Sequence, residues 1–143
     1  MSDAKLRQSF TNLGRALDRL EKAVAQPEAA NPLVVDGTIQ RFEFALELFW
    51  KSLKRLLAVE GIETATPKGT LGAAFQAHWL HDQTIWLDML ADRNRTSHVH
   101  DEAMARLIHQ RITSYAPVMR DTVTAPVDDG ERLPDQHKAK HDR

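Results

Sequence analysis

The residues of this sequence best suited to chemistry lie in one stretch, DRNRTSHVHD, from Asp92 to Asp101. It contains two arginines, an asparagine, two small hydroxyl side chains and two histidines. An arginine guanidinium is a permanent cation whose planar fork binds phosphate oxygens bidentately. Neutral histidine can take a proton from a hydroxyl or give one to a leaving oxygen near pH 7, and an asparagine can orient either group. The chemistry that suits this set is the cleavage of a phosphodiester.

The spacing of these residues sets a condition on such a site. On one straight helix, at about 100° per residue, Arg93 and His98 would point about 140° apart. Asn94 and His98, four residues apart, would share a face. A helix that breaks near Thr96 or Ser97 would let the arginine and the histidine converge. A two-fold axis nearby would bring two histidines to one cleft, which would supply the base and acid of RNA transesterification without a metal.

Two other interpretations of the stretch stay open at this point. In a purely structural one, Arg93 pairs with Asp88 or Asp92, and His98 caps the next helix. In the other, some of the seven histidines bind a metal ion. The chain has no HExxH motif and no Asp/Glu/His spacing typical of a catalytic metal. We therefore expect no metal site and no cofactor.

Hydrophobic periodicity indicates that helices position this stretch. Two long stripes have alternating spacings of three and four residues, which is typical of one apolar face of a helix. The stripes comprise Leu6, Phe10, Leu13, Leu17, Leu20 and Val24, then Ile39, Phe42, Leu46, Phe49, Leu53 and Leu56. Asn31-Pro32 or Asp36 could start the second helix, and Gly61 fits its end.

The rest of the chain predicts one loop and three further helices. Residues 63–70, ETATPKGT, are predicted as a loop, and 71–80 as a short helix. A helix over 82–94 could be capped by Asp82, and a last one starts near Asp101. Pro117 should kink or end that helix, because the residue before a proline is pushed out of the α region. The predicted apolar face of the last helix is Met104, Leu107, Ile108, Ile112, Tyr115 and Met119.

These elements predict an all-α fold, an antiparallel up-and-down four-helix bundle with a short extra helix. Residues 1–122 would form the bundle domain, and residues 123–143 a disordered tail, because the tail has almost no apolar content. The three tryptophans are predicted as core. Trp50 and Leu57 widen the stripe of the second helix, and this surplus predicts a homodimer. Filling of the monomer core is the alternative.

Composition limits the classes of protein that fit. The chain has 143 residues, which suits one domain, and no cysteine, which excludes disulfides and thiolate chemistry. Neither a signal peptide nor a membrane span is apparent, so we expect a cytoplasmic protein with no membrane association. Residues 1–122 contain 15 Lys and Arg against 15 Asp and Glu. Contact with nucleic acid would therefore have to be local, because a non-specific binder should be basic.

Several motifs together resemble a known family. Arg93-Asn94-x-x-x-His98 is similar to the Arg-x(4–6)-His signature of the HEPN superfamily. The segments IQRFEFALELFWKSLKRLLAVEG, at 39–61, and IWLDMLADRNRTSHVHDE, at 85–102, resemble its HepT-like branch, the nucleotidyltransferase substrate-binding proteins. The resemblance spans roughly Leu6 to Met119.

The resemblance implies a helical bundle, usually a homodimer with the motif near the dimer cleft, encoded beside a small MntA-like nucleotidyltransferase. Some members are metal-independent ribonuclease toxins, and the nucleotidyltransferase is their antitoxin. By this resemblance Arg93 would hold the scissile phosphate of RNA, His98 would be the acid–base residue, and Asn94 would position them. The products would be a 2′,3′-cyclic phosphate and a 5′-hydroxyl. Further candidates for substrate binding are Arg95, Ser97 and His100.

One position departs from the family pattern. Toxins of this branch usually carry a tyrosine two residues after the histidine, and the antitoxin adenylylates it. Here that position is His100, and the one tyrosine of the chain is Tyr115. Two functions therefore stay open. The chain is either a ribonuclease toxin or a non-catalytic subunit that binds a substrate for, or regulates, a partner nucleotidyltransferase.

Overall fold

The computed structural model describes residues 3–27, 31–96 and 101–124, and these form five α-helices with no strand among them. The helices are α1 (Asp3–Val24), α2 (Pro32–Val59), α3 (Pro67–Gln76), α4 (Gln83–Thr96) and α5 (Glu102–Thr124). This confirms the predicted all-α bundle of four main helices and a short extra one. None of the helices in these ranges has the length and apolar content that crossing a bilayer requires. The predicted disordered tail, apart from its first two residues in α5, lies outside the described residues.

The second helix is the central element of the bundle, because α2 contacts each of the other four helices. It begins where the sequence predicts. The side chain of Asn31 accepts a hydrogen bond from the Leu33 amide at 2.7 Å, and Pro32 occupies the first turn. Beyond its end, Gly61 adopts a φ of 84°, a conformation that favours glycine. The α1 and α2 stripes pack together, and the hydroxyls of Ser9 and Ser52 lie 2.8 Å apart.

Aromatic contacts join α2 to α4, which contains the start of the stretch from Asp92 to Asp101, and to α5, which follows that stretch. The ring of Phe42 stacks on Tyr115 of α5 with centroids 5.6 Å apart, and Phe49 meets Trp86 of α4 at 4.6 Å. Trp79 is also buried, so two of the three tryptophans belong to the core as predicted. Burial of such large side chains stabilises the fold most strongly. These aromatic contacts therefore fix the positions of α4 and α5 against α2.

The short helix differs from its prediction at both ends. It starts at Pro67, so the predicted loop is wrong over residues 67–70. The physical reason is a cap, because the Thr66 side chain accepts a hydrogen bond from the Gly69 amide at 3.0 Å. The helix also ends at Gln76 rather than residue 80. Shortly after it, His78 adopts a left-handed φ of 67°, which a helix cannot continue through.

The last helix does not end at Pro117 but continues to Thr124. Ala116 keeps a helical conformation, contrary to the local preference of a residue before proline. Packing on both sides of the proline explains this result. Ala116 and Met119 are both buried in the core. One residue beyond Met119, Arg120 pairs with two carboxylates of α1, those of Asp18 at 2.6 Å and Glu21 at 2.9 Å.

One residue of the predicted apolar face of α5 is misplaced. Leu107 is 40% exposed, whereas Ile108, Ile112 and Met119 are fully buried. Leu107 lies about 100° around the helix from Ile108 and so falls beside the buried stripe. The buried face of α5 therefore includes fewer of these apolar residues than the sequence pattern predicts.

Candidate functional site

The last turn of α4 carries the part of the predicted motif that the structure describes. Arg93 is partly buried, and Asn94 and Arg95 are exposed on this turn. The described part of α4 extends to Thr96, and a break near Thr96 or Ser97 stays a prediction. The remaining candidates, Ser97, His98 and His100, lie outside the described residues. Convergence of the arginine and histidine stays a prediction.

The Arg93 side chain is directed toward α2. Its Nη2 atom donates a hydrogen bond to Oε1 of Glu47 at 3.1 Å. The same carboxylate accepts from Trp50 Nε1 at 3.3 Å and pairs with Lys51 Nζ at 3.0 Å. Asp88 or Asp92, which the structural interpretation pairs with Arg93, are not its partners among the described residues. The Glu47 carboxylate is thus held by three donors, one of which is Arg93. It fixes the guanidinium of Arg93 at a defined position.

Charge and burial act in opposite directions on the pKa of Glu47. Burial would raise the pKa of this carboxyl. Hydrogen bonds from Lys51 and Trp50, together with the positive charges of Lys51 and Arg93, lower the pKa below its ordinary value. Glu47 is therefore ionised at neutral pH and remains an ionic partner of Arg93.

A second carboxylate of α2 holds the end of the same helix turn. The Thr96 hydroxyl lies 2.7 Å from the Arg93 carbonyl oxygen and also donates toward the Glu43 carboxylate, so its one proton is shared. Glu43 and Glu47 are one turn apart on α2 and share a face. They contact α4 at two points, Arg93 and Thr96, and so fix its last described turn against α2.

Arg93 lines a surface groove between α1, α2 and α4 that has a volume of about 510 Å³. Two further arginines, Arg19 and Arg41, are exposed at this groove. Phe44 is 52% exposed there. The complete lining is Arg19, Gln40, Arg41, Glu43, Phe44, Glu47 and Arg93. The groove therefore presents positive charge and one aromatic ring beside the candidate phosphate-binding residue.

The opposite side of α4 carries a buried charge network. Asp92, only 2% exposed, accepts hydrogen bonds from Arg95 Nη1 at 2.6 Å and Arg111 Nη1 at 2.8 Å. Its other oxygen accepts from the Tyr115 hydroxyl at 2.5 Å. Arg93 and Arg95 lie about 200° apart around the helix. The structure therefore does not bring Arg95 into the groove of Arg93.

The environment of Tyr115 keeps its hydroxyl protonated. Burial raises the pKa of this phenol first, and the hydrogen bond to Asp92 and the negative charges of Asp92 and Asp88 raise it further. The phenol is therefore protonated at neutral pH and donates its proton to the hydrogen bond with Asp92. This side of α4 is a structural connection to α5.

Possible metal ligands do not cluster in the part of the chain that the structure describes. Over residues 3–27, 31–96 and 101–124, no three histidine, aspartate or glutamate side chains come close enough to hold a metal ion. The groups near Arg93 there include guanidinium, carboxylate, amide, ammonium and hydroxyl groups.

Sequence reasoning missed the carboxylates that organise this site. Glu43 and Glu47 lie at a spacing of four residues on α2, around an exposed Phe44. A phenylalanine on the polar face of an amphipathic helix is a signal that could have directed attention there. Nothing in the spacing shows that this face meets α4.

Comparison with known proteins identifies the class. Residues 8–125 match the model of the family described as nucleotidyltransferase substrate binding protein like, and the chain belongs to that family. It is also similar to a Haemophilus influenzae protein named probable ribonuclease HepT, with 30% identity over 95 residues. That match covers 63% of this chain and 65% of the relative, so the chain spans somewhat under two thirds of the relative's length.

A solved structure has a similar fold. The crystal structure of a Thermus thermophilus protein is similar to this fold with a TM-score of 0.72 and 36% sequence identity. The similarity covers 77% of this chain and 94% of that one. The resemblance to HepT-like proteins inferred from the sequence is therefore confirmed at the level of the family.

Proposed function

We propose that this chain is a metal-independent endoribonuclease of the HEPN type, the toxin partner of a small nucleotidyltransferase antitoxin. The observation that carries the proposal is how the Arg93 side chain is held and exposed. Its guanidinium is anchored to Glu47 through Nη2, its side chain is 37% exposed, and it lies in a groove with two further arginines. A fixed, accessible guanidinium is a suitable ligand for an RNA phosphate.

The proposed reaction is an internal transesterification of RNA. The 2′-hydroxyl loses its proton to a base and attacks the adjacent phosphorus, and the bond from phosphorus to the 5′-oxygen breaks. An acid protonates the leaving oxygen, which gives a 2′,3′-cyclic phosphate and a 5′-hydroxyl. Arg93 neutralises the charge that grows on the phosphate oxygens, and Asn94 assists its positioning. His98 exchanges the protons, and in a homodimer two copies supply base and acid.

A second function is favoured by two specific observations. Arg93 forms an ion pair with Glu47, and the chain carries a formal net charge of −1. Both facts suit a non-catalytic subunit that binds a substrate for, or regulates, a partner nucleotidyltransferase. Under that function Arg93 would be part of the scaffold. Cleavage activity of the purified chain separates the two functions.

The ribonuclease proposal predicts that His98→Ala and Arg93→Ala each abolish most cleavage of a single-stranded RNA. Proton transfer by a positioned side chain contributes roughly 10²–10⁴-fold, so the loss in the histidine variant should be at least about hundredfold. Cleavage should persist in EDTA. Rates are measured on a labelled oligonucleotide, with products resolved by gel and tested for the cyclic phosphate.

The matched control is His81→Ala, which removes an exposed histidine between α3 and α4. It should cleave at the unsubstituted rate. Undiminished cleavage by His98→Ala would remove that residue from the mechanism. Activity lost on chelation and restored by zinc or magnesium would overturn the metal-independent reaction. Absence of any cleavage would favour the binding subunit.

The partner proposal predicts control by binding, with position 100 unmodified. Histidine lacks the phenolic oxygen that family members present at this position, and an adenylyl group on its nitrogen would be labile. Tyr115 is 5% exposed, and its hydroxyl is hydrogen-bonded to Asp92. Its raised pKa also makes it a poor nucleophile.

Co-expression with the nucleotidyltransferase encoded beside this chain tests the prediction. The two proteins should copurify, and the intact mass of the chain should be unshifted. An adenylyl mass shift mapped to Thr96, Ser97, His100 or Tyr115 would show that modification uses another acceptor. Failure to copurify would contradict the partner proposal.

A further inference from the structure

We propose that the groove beside Arg93 binds an unpaired nucleotide of a single-stranded RNA, with its base stacked on Phe44 and neighbouring phosphates held by Arg41 and Arg19. The inference deepens the proposed function and rests on it for RNA as the substrate. It adds residues of α1 and α2 that no part of the Arg-x(4–6)-His motif includes.

The exposure of Phe44 is the first observation. Phe42 and Phe49 on the same helix are completely buried, whereas Phe44 is 52% exposed on the opposite side. Gln40 and Glu47, four residues before it and three after it on α2, line the same groove, so polar groups lie beside its ring on one helix face. A flat apolar surface with a polar edge fits a nucleobase, which has a π face and hydrogen-bonding edges.

The charges of the groove are the second observation. Its two carboxylates already have partners, since Glu43 accepts from Thr96, and Glu47 is shared by Arg93, Lys51 and Trp50. Within the ranges that the structure describes, neither Arg19 nor Arg41 forms an ion pair or a side-chain hydrogen bond. The lining has three arginines against two glutamates, so the groove keeps a net positive charge that complements a phosphate backbone.

The combination is specific to single strands. Proteins that bind single-stranded nucleic acid combine a positively charged groove with aromatic side chains on which bases stack. In a duplex the faces of the bases are already stacked on their neighbours and cannot reach Phe44. The local character of the positive charge also agrees with the near-neutral balance of the chain. We infer that the scissile phosphate at Arg93 is adjacent to an unpaired base.

The test uses the full chain carrying His98→Ala, so that RNA is bound but not cleaved, and fluorescence anisotropy with a labelled single-stranded RNA. Adding Phe44→Ala should weaken binding roughly tenfold or more, and Phe44→Trp should retain it, because stacking is restored. Arg41→Gln should weaken binding and reduce its dependence on salt. A duplex of the same sequence should bind more weakly than the single strand.

Two matched controls are available in the chain. Phe75→Ala removes another exposed phenylalanine, on α3 and outside the groove. Arg55→Gln removes an exposed arginine of α2, about 21 Å along the helix from Arg41 at about 1.5 Å per residue. Both should bind RNA as the parent does. Circular dichroism and thermal melting confirm that each variant is folded.

Three results would overturn the inference. In the first, Phe44→Ala binds RNA as tightly as the parent. In the second, Phe44→Ala and Phe44→Trp both convert a dimer to a monomer in sedimentation and lose RNA binding together, which would assign the ring to a contact with a second copy of the chain. In the third, duplex and single strand bind equally.

Failure of the proposed function gives a different result. Binding that depends on Phe44, with no cleavage by the unsubstituted chain, would support the groove and reject the ribonuclease. Cleavage at subsaturating RNA that is undiminished by Phe44→Ala would support the ribonuclease and reject the groove.

Discussion

Asp92 and Arg93 are neighbours in the chain, yet they lie in opposite environments on the two sides of α4. Asp92 faces α5, is 2% exposed, and accepts hydrogen bonds from Arg95, Arg111 and Tyr115. The Arg93 side chain faces α2, is 37% exposed, and is anchored through Nη2 to Glu47 at the edge of a groove. One residue therefore belongs to the interior and the next to the surface.

The difference shows which residue can have a ligand. A buried carboxylate must have its oxygens satisfied inside the protein, because leaving it unpaired costs several kcal/mol. Asp92 meets that requirement with three hydrogen bonds, and at 2% exposure it is closed to a ligand. Arg93 has five N–H donors in a planar fork, and its ion pair engages Nη2. We interpret Asp92 as the anchor of α4 and Arg93 as the residue that the anchor positions.

The largest expected effect on stability is that of Asp92→Asn. The substitution removes the charge that two guanidiniums and a phenol share. Breaking a buried pair costs about 3–5 kcal/mol, and because Arg95 and Arg111 can turn toward water, we expect about 2–3 kcal/mol here. The measurement is urea unfolding at pH 7, followed by circular dichroism. The thermal midpoint should fall correspondingly.

Arg93→Gln is the matched control for this prediction. It removes the neighbouring charge, which pairs in a partly exposed position, so the free energy of unfolding should fall by less than about 1 kcal/mol. Its effect should instead be on RNA cleavage. Equal losses of stability in the two variants would refute the assignment of anchor and ligand to the two sides of α4.

Much of the fold was predictable from the sequence because its signals are local. The stripe from Leu6 to Val24 and the cap at Asn31 both depend on residues within a few positions of one another. The helical course of α5 through Pro117 was not predictable in this way. It depends on Arg120, whose partners on α1 are about 100 residues away in the chain, at separations of 99 and 102.

The same limit applies to the candidate site. The density of chemical groups from Arg93 onward directs attention to the end of α4, and the helix does present Arg93 there. Its partner Glu47 is 46 residues distant in the chain. Asp88 and Asp92 are carboxylates much closer to Arg93 in sequence. Only the packing of α2 on α4 determines which of them the guanidinium meets.

A similarly small effect is expected for Glu47→Gln, and its dependence on pH distinguishes it. The folded pKa of Glu47 lies below its ordinary value of 4.5, so its charge contributes stability above that value. The contribution disappears as the pH falls through the lower, folded pKa.

At pH 7 the variant should be less stable by no more than about 1 kcal/mol, because the pair is partly exposed. The difference should vanish in acid, where the carboxyl is protonated in both states and resembles the amide. Urea unfolding at pH 7 and at a series of increasingly acid pH values follows the difference, with Glu63→Gln as an exposed control from the loop before α3. A difference that stays constant with pH would mean that Glu47 contributes through its shape, and that its charge does not hold Arg93.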